Sequence, residues 1–176
     1  MATRLRPLTD RCPKCLLEVG GKSLLQRSLD ALMENGIRMF VVVTGYKDEM
    51  IEGFIRDHYQ EQIARGDASF RFIDNKDYAT TNNIYSLWLA RPEVDGREFL
   101  LLDSDLLYDS KLITVMLSQP GAALSVNRHP LGEEEMKVVV DNDHTIVAIN
   151  KTCNPAEAYG ESVGVEKLSA DDSTAL

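Results

Sequence analysis

A chain of 176 residues, 44% apolar and 27% charged, has the size and makeup of one globular domain with a real core. Its formal net charge of -9 excludes duplex nucleic acid as the main partner, because such binders displace counterions with a basic face. Three cysteines, an odd number, argue against a disulfide framework, and no apolar run reaches membrane-span length. A cytoplasmic protein with neither a nucleic-acid nor a membrane partner is expected.

What positive charge there is concentrates at the N-terminus. Thr3, Arg4, Arg6, Thr9, Arg11 and Lys14 crowd around Pro7 and Pro13, with Leu5 and Leu8 between them. Like charges so close repel unless they share an anion, so the segment reads as an ordered phosphate-handling loop. Cys12 and Cys15 form a CxxC, but Cys153 and the scattered His58, His129 and His144 give no paired zinc spacing. A redox motif would open a helix, whereas here Gly20 and Gly21 break the chain. The pair is read as incidental, with Lys14 the residue of interest.

After a short apolar stretch at Leu16, Leu17 and Val19, the spacing of Leu24, Leu25, Leu29, Leu32 and Met33 predicts a helix from Ser23, ended by Asn35 and Gly36. Residues 39–43 form an apolar, β-branched strand, 44–47 a turn, and Met50, Ile51, Phe54 and Ile55 the stripe of a helix to about Tyr59. A short strand over 70–73 and a polar loop over 74–81 precede a helix over 83–90. A buried strand at 99–102 runs into Asp103-Ser104-Asp105, followed by a helix over 111–117 and a strand over 122–126. Residues 136–140 and 145–149 are two β runs around a polar turn, a hairpin. From Ser169 onward a helix-start signal stands with no helix expected behind it. This order predicts an α/β sandwich with a mostly parallel sheet and a late antiparallel hairpin, in a single domain over 1–176.

Several polar residues fall where such folds place chemistry. Asp103 and Asp105 sit two apart at a strand's carboxyl end, where carboxylates ligate a hard cation such as Mg2+ or merely cap a helix. Asn82 and Asn83 carry amides able to read a pyrimidine edge or a ribose, and either could equally serve as a helix N-cap. Tyr85 and Trp88, with Tyr46 and Tyr78 in nearby loops, could face an ammonium group. For Trp88, spaced with Ile84, core packing is expected instead.

The run Thr3-Arg4-Leu5-Arg6-Pro7-Leu8-Thr9, followed by Pro13 and Lys14, resembles the signature of nucleotidylyltransferases that join a nucleoside triphosphate to a phosphorylated small molecule. That signature usually opens with a strand and Leu-Ala-Ala-Gly-x-Gly-Thr-Arg; this sequence enters it at Met1, with Ala2 where the second glycine stands. The likeness continues in order through Val19-Gly-Gly-Lys-Ser-Leu-Leu25, Val43-Thr-Gly-Tyr46, Leu102-Asp-Ser-Asp105, Ile149-Asn-Lys151 and Tyr159-Gly-Glu-Ser-Val-Gly164. The block Thr81-Asn-Asn-Ile-Tyr-Ser-Leu87 looks most like the branch that transfers CMP to phosphocholine or 2-aminoethylphosphonate.

The resemblance implies a Rossmann-like three-layer sandwich, here expected to lack the family's first strand and C-terminal part. It implies Mg2+-dependent displacement at the α-phosphate of CTP, or another nucleoside triphosphate, by a phosphorylated small molecule. Arg4 would grip the leaving pyrophosphate beside Thr3, and Lys14 would approach the α-phosphate. Asn82 and Asn83 would meet the nucleotide. Lys151 would meet the acceptor phosphate, with Tyr85 and Glu161 at the acceptor's ammonium. Asp105 is the favoured metal ligand and Asp103 a second candidate. Arg6 is as well suited to the surface as to phosphate. A sugar-1-phosphate nucleotidylyltransferase and a catalytically impaired nucleotide-binding module of the same fold are the alternatives, and whether the protein is a homo-oligomer stays open.

Overall fold

The structure, a computed structural model, describes residues 5–176, so Thr3 and Arg4 lie outside the described residues. The N-terminal loop winds into one helical turn, α1 (Leu8–Arg11), and a 3-10 turn over Lys14–Leu16. A two-residue hairpin follows, β1 (Glu18–Val19) and β2 (Lys22–Ser23), turning on Gly20 and Gly21, both at positive φ as the tight reversal requires. Ser23 then caps α2 (Leu24–Glu34) by accepting from the Gln26 amide. Next come β3 (Met39–Thr44), α3 (Asp48–His58), α4 (Gln60–Arg65) and β4 (Ser69–Asp74). The second half holds α5 (Asn83–Val94), β5 (Phe99–Leu102), α6 (Lys111–Ser118), β6 (Ala123–Asn127), β7 (Lys137–Val140), β8 (Ile146–Asn150), β9 (Gly160–Leu168) and α7 (Ala170–Thr174).

The α/β class and the late hairpin β7–β8 stand as the sequence indicates. Among the described residues parallel pairing is confined to β3 and β4, joined residue for residue from Met39 against Ser69 to Thr44 against Asp74. The other large sheet has five strands, all antiparallel, because it is assembled around β9. One edge of β9 pairs with β6; the other pairs with β7 through Gly160 and Glu161, then with β5 through residues 165–168. Among the described residues no ladder joins β3 to β5.

Besides the short N-terminal turns and the β1–β2 hairpin, three elements escape the sequence reading. β9 mixes Glu161, Ser162, Glu166 and Lys167 with two glycines and so lacks an apolar run. The short α4 has no buried residue to set a stripe. At the end of the chain a helix does form: α7 carries a full capping box, with the Ser169 hydroxyl accepting from the Asp172 amide and the Asp172 carboxylate from the Ser169 amide.

One core serves both sheets. Leu25, Leu29 and Leu32 of α2, Ile55 of α3, Ile113 and Met116 of α6, Phe40 of β3 and Val165 of β9 are all buried in a single cluster. Burying such side chains is worth about 1.5–3 kcal/mol each and dominates the favourable side of folding. Tyr59 is buried beside them, its hydroxyl donating to the Asp30 carboxylate at 2.9 Å, which Lys22 also reaches at 2.8 Å. No helix among the described residues is long and apolar enough to cross a membrane.

Candidate active site

An open cleft of about 260 Å3 lies where the carboxyl ends of β3 and β5 meet the N-terminal loop. Val43, Thr44, Gly45 and Tyr46 come from the first strand and its turn, Ser104 and Asp105 from beyond the second, and Arg6, Thr9, Asp10, Pro13, Lys14 and Cys15 from the loop. Ligands of α/β sheets gather at such carboxyl ends, because the strands stop there and loops can carry polar groups. The loop is tied down by the turn it faces. The Tyr46 hydroxyl donates to the Thr9 and Asp10 carbonyls at 3.3 and 3.4 Å, and Lys47 Nζ donates to the Asp10 carbonyl at 2.8 Å.

Inside this cleft Lys14 Nζ meets Asp105 Oδ2 at 2.5 Å, both side chains about one-third exposed. The structure therefore joins the lysine expected at a phosphate to the aspartate expected at a metal. Asp103 lies beside them, its carboxylate accepting from Asn83 Nδ2 at 3.3 Å and its amide donating to the Gly164 carbonyl at 3.0 Å. Gly164 has φ +77°, and a Cβ there would stand 2.6 Å from Asp103 Oδ2. Only glycine both adopts that backbone and lets the carboxylate come so close. Partial desolvation, then the neighbouring Asp105, push the Asp103 carboxyl above the usual carboxylate range, with Lys14 pulling the other way.

Two carboxylates are what this corner offers a cation. Among the described residues no three acidic, histidine or cysteine side chains gather around one point. That donor set fits Mg2+, which characteristically takes one or two protein carboxylates and completes its shell with water and substrate phosphate. The crowding that raises Asp103 is of the sign a cation would relieve.

The amides at the start of α5 sit next door. The Asn82 side chain caps the helix, accepting from the Tyr85 amide, so its capping role is realised, while Asn83 reaches across to Asp103. Tyr85 stacks on Trp88 with ring centroids 5.5 Å apart. Trp88 is 53% exposed and Ile84 66%, so the core packing expected of Trp88 does not occur. The buried face of α5 is instead Leu87, Ala90 and Val94, and the spacing from Ile84 to Trp88 marks its outer side.

Lys151 and Glu161 stand apart from the cleft lining. Lys151 follows β8 and pairs with Glu134 at 3.5 Å. Glu161, on β9, holds His129 Nε2 at 2.8 Å, while His129 Nδ1 faces the Pro130 carbonyl at 2.8 Å. Both ring nitrogens face acceptors, so the contacts are best satisfied by an imidazolium, and Glu161 accordingly pushes the His129 pKa up. The CxxC carries no such poise. Burial pushes the Cys15 thiol up to about 11 and raises Cys12 as well, so neither is a thiolate at neutral pH. Sequence reasoning missed Thr44 and Ser104 as cleft-lining residues; their position at strand ends was the available signal.

A profile of the family described as nucleotidyl transferase matches residues 1–123. The choline-phosphate cytidylyltransferase of Streptococcus pneumoniae is 33% identical over 94 residues, 53% of this chain and 37% of that protein. The 2-aminoethylphosphonate cytidylyltransferase of Lancefieldella rimae is 25% identical over 177 aligned positions, covering 100% of this chain and 66% of that one. The chain thus spans roughly one-third to two-thirds of the length of these curated relatives. Among solved structures, a CTP:phosphocholine cytidylyltransferase from Streptococcus pneumoniae superposes with a TM-score of 0.69 at 23% identity, over 97% of this chain and 68% of that one.

Proposed function

Because the chain belongs to the nucleotidyl transferase family, we propose that the whole protein is a cytoplasmic cytidylyltransferase moving CMP from CTP to a small phosphorylated amine, phosphocholine or 2-aminoethylphosphonate, with release of pyrophosphate. The observation that carries this reading is Lys14 held against Asp105 at the carboxyl ends of β3 and β5. A cation and a carboxylate so paired form a site that exchanges partners. Lys14 would turn to the triphosphate, and Asp105 would be left free to hold a metal ion.

In this reaction an oxygen of the acceptor's phosphate or phosphonate attacks the α-phosphorus of CTP. The bond from that phosphorus to the bridging oxygen breaks, and pyrophosphate leaves with the electron pair. The attacking oxygen is already ionised, so catalysis rests on alignment and charge neutralisation rather than on a strong base. Lys14 stabilises charge at the α-phosphate, and by sequence Arg4, with Thr3, holds the leaving group; guanidinium forks match phosphate oxygens. Asp105, assisted by Asp103, would hold Mg2+, which when bound neutralises phosphate charge. Asn82 and Asn83 read the nucleotide from the start of α5. Lys151 takes the acceptor phosphate, and Tyr85 and Glu161 take its positive end.

The test offers all four triphosphates against phosphocholine, 2-aminoethylphosphonate and glucose-1-phosphate, and measures pyrophosphate. CTP with a phosphorylated amine is expected to react fastest. Fastest turnover of glucose-1-phosphate would move the protein to the sugar branch, and CTP binding without pyrophosphate would make it a binding module. Lys14→Ala should lower kcat/KM at least ~100-fold, about 2.7 kcal/mol. The same change should move the melting temperature by less than about 4 °C, since so exposed an ion pair is worth ~1 kcal/mol or less. Wild-type turnover in that variant would sink the assignment of the loop.

A further inference from the structure

Residues 74–80 are exposed with one exception, Asn75, which is 3% exposed. Its backbone amide donates to the Thr44 carbonyl at 2.8 Å, at the end of β3 and in the wall of the cleft. Its side-chain Nδ2 donates to Thr81 Oγ1 and to Ser86 Oγ, both at 3.1 Å, and its Oδ1 accepts from the Asp77 amide at 3.0 Å. Thr81 Oγ1 gives its own hydrogen to the Asp77 carbonyl at 2.9 Å, so it can only accept from Asn75. One buried residue therefore joins three pieces: its backbone ties to the end of β3, and its side-chain amide ties the loop that leaves β4 to the first turn of α5. The loop can fold this close because Gly45 lacks a Cβ, which would stand 2.7 Å from Tyr78.

We propose that Asn75 is a positioning residue for nucleotide recognition, fixing Asn82 and Asn83 at a set distance from the cleft; this rests on the function proposed above. The two asparagines directly follow Thr81, and Asn83 reaches Asp103, two residues before the aspartate that holds Lys14. Asn75 touches none of the expected reactants and acts through the segment it pins. Its chemistry is specific. Aspartate has the same shape but, ionised, offers no donor to Thr81 or Ser86; leucine fills the space but makes none of the three side-chain bonds.

The test compares Asn75→Asp and Thr81→Val with the intact wild-type chain, using Thr81→Ser as the conservative control. The KM for CTP is expected to rise at least tenfold in the first two while the KM for the acceptor stays within twofold, and Thr81→Ser should restore most of the loss. Amide hydrogen exchange reads the same pin without catalysis. The Thr81 and Tyr85 amides should exchange at least tenfold faster in Asn75→Asp, with α2 and the β7–β8 hairpin unchanged; the Asp77 amide keeps its acceptor in that variant. Parallel changes in both KM values, or unaltered exchange at Thr81 and Tyr85, would overturn the assignment. If no triphosphate is turned over by the wild type, the proposed reaction fails, and the exchange measurement still decides whether Asn75 sets this segment.

Discussion

The β3–β4 unit and the sheet around β9 are held by different means. β3 and β4 are short runs rich in aromatic and β-branched residues whose inner side chains, Phe40, Phe70 and Phe72, stack on one another, with centroids 4.8 Å apart for the first pair. β9 keeps Val165 in the core but is otherwise fixed by polar anchors. Lys167 is buried with its ammonium on the Gln119 carbonyl at 2.7 Å, and Ser125 of the facing β6 donates to the Val165 carbonyl at 2.8 Å. Lys137, at the start of β7, is 1% exposed with its ammonium on the Lys151 carbonyl at 2.8 Å. The apolar unit supplies one wall of the cleft, through Val43 to Tyr46; the sheet around β9 supplies the other through Ser104 and Asp105 beyond β5, and also carries Lys151 and Glu161. The difference teaches that the cleft joins a wall set by packing to one whose sheet is anchored by hydrogen bonds.

The sharpest way to break that comparison is to cut the core both regions share. Ile113 is fully buried, and Ile113→Ala should cost about 2–5 kcal/mol, whereas Val147→Ala on exposed β8 should stay within about 0.5 kcal/mol. Urea unfolding checks both, and similar losses would show the hairpin to be as well packed as the core. Next comes Gly164→Ala, where positive φ and the 2.6 Å approach to Asp103 combine. It should cost about 1–3 kcal/mol and displace the Asp103 carboxylate, read by thermal unfolding and by the chemical shift of that carboxyl.

The smallest effect separates the regions by pH. His129 is raised by Glu161, so its contribution to stability is complete below the unfolded value of about 6.5 and is lost as pH rises through the higher folded value. An NMR titration should therefore give a His129 midpoint above 6.5, and Glu161→Gln should bring it down towards 6.5. A midpoint that Glu161→Gln leaves unchanged would show the ion pair to be absent in solution.

What was legible divides by how local the signal is, not by region. Runs such as residues 39–43 and 99–102 announce apolar strands, and the turn at Asp141, Asn142 and Asp143 announces a hairpin, because each signal is local. β9 is different: its strand character comes from neighbours far along the chain, and its Glu166 and Lys167 look like loop composition until Leu101 and Leu100 lie opposite them. Trp88 misled for a related reason, since a single spacing to Ile84 defines a face without saying which side the core takes. At the site, Lys14 and Asp105 could be marked from residue type and the order of motifs, but not that they would meet. Asn75 was invisible, because a buried amide in a polar loop is distinguished only by its partners.

The pairing of β5 with β9 sets an order of events during synthesis. Phe99 lies opposite Leu168 and Leu102 opposite Val165, so the strand leading into Asp103 and Asp105 has no described sheet partner until residues 165–168 have left the ribosome. At 5–20 residues per second that interval lasts roughly 3–13 s. Over the same interval β3 and β4, complete by Asp74, are free to pair. The nascent chain thus carries half of its cleft formed while the edge of β5 that β9 will take waits unpaired. That makes residues 99–102 the stretch where a chaperone, or a misplaced neighbour, has the longest opportunity to bind.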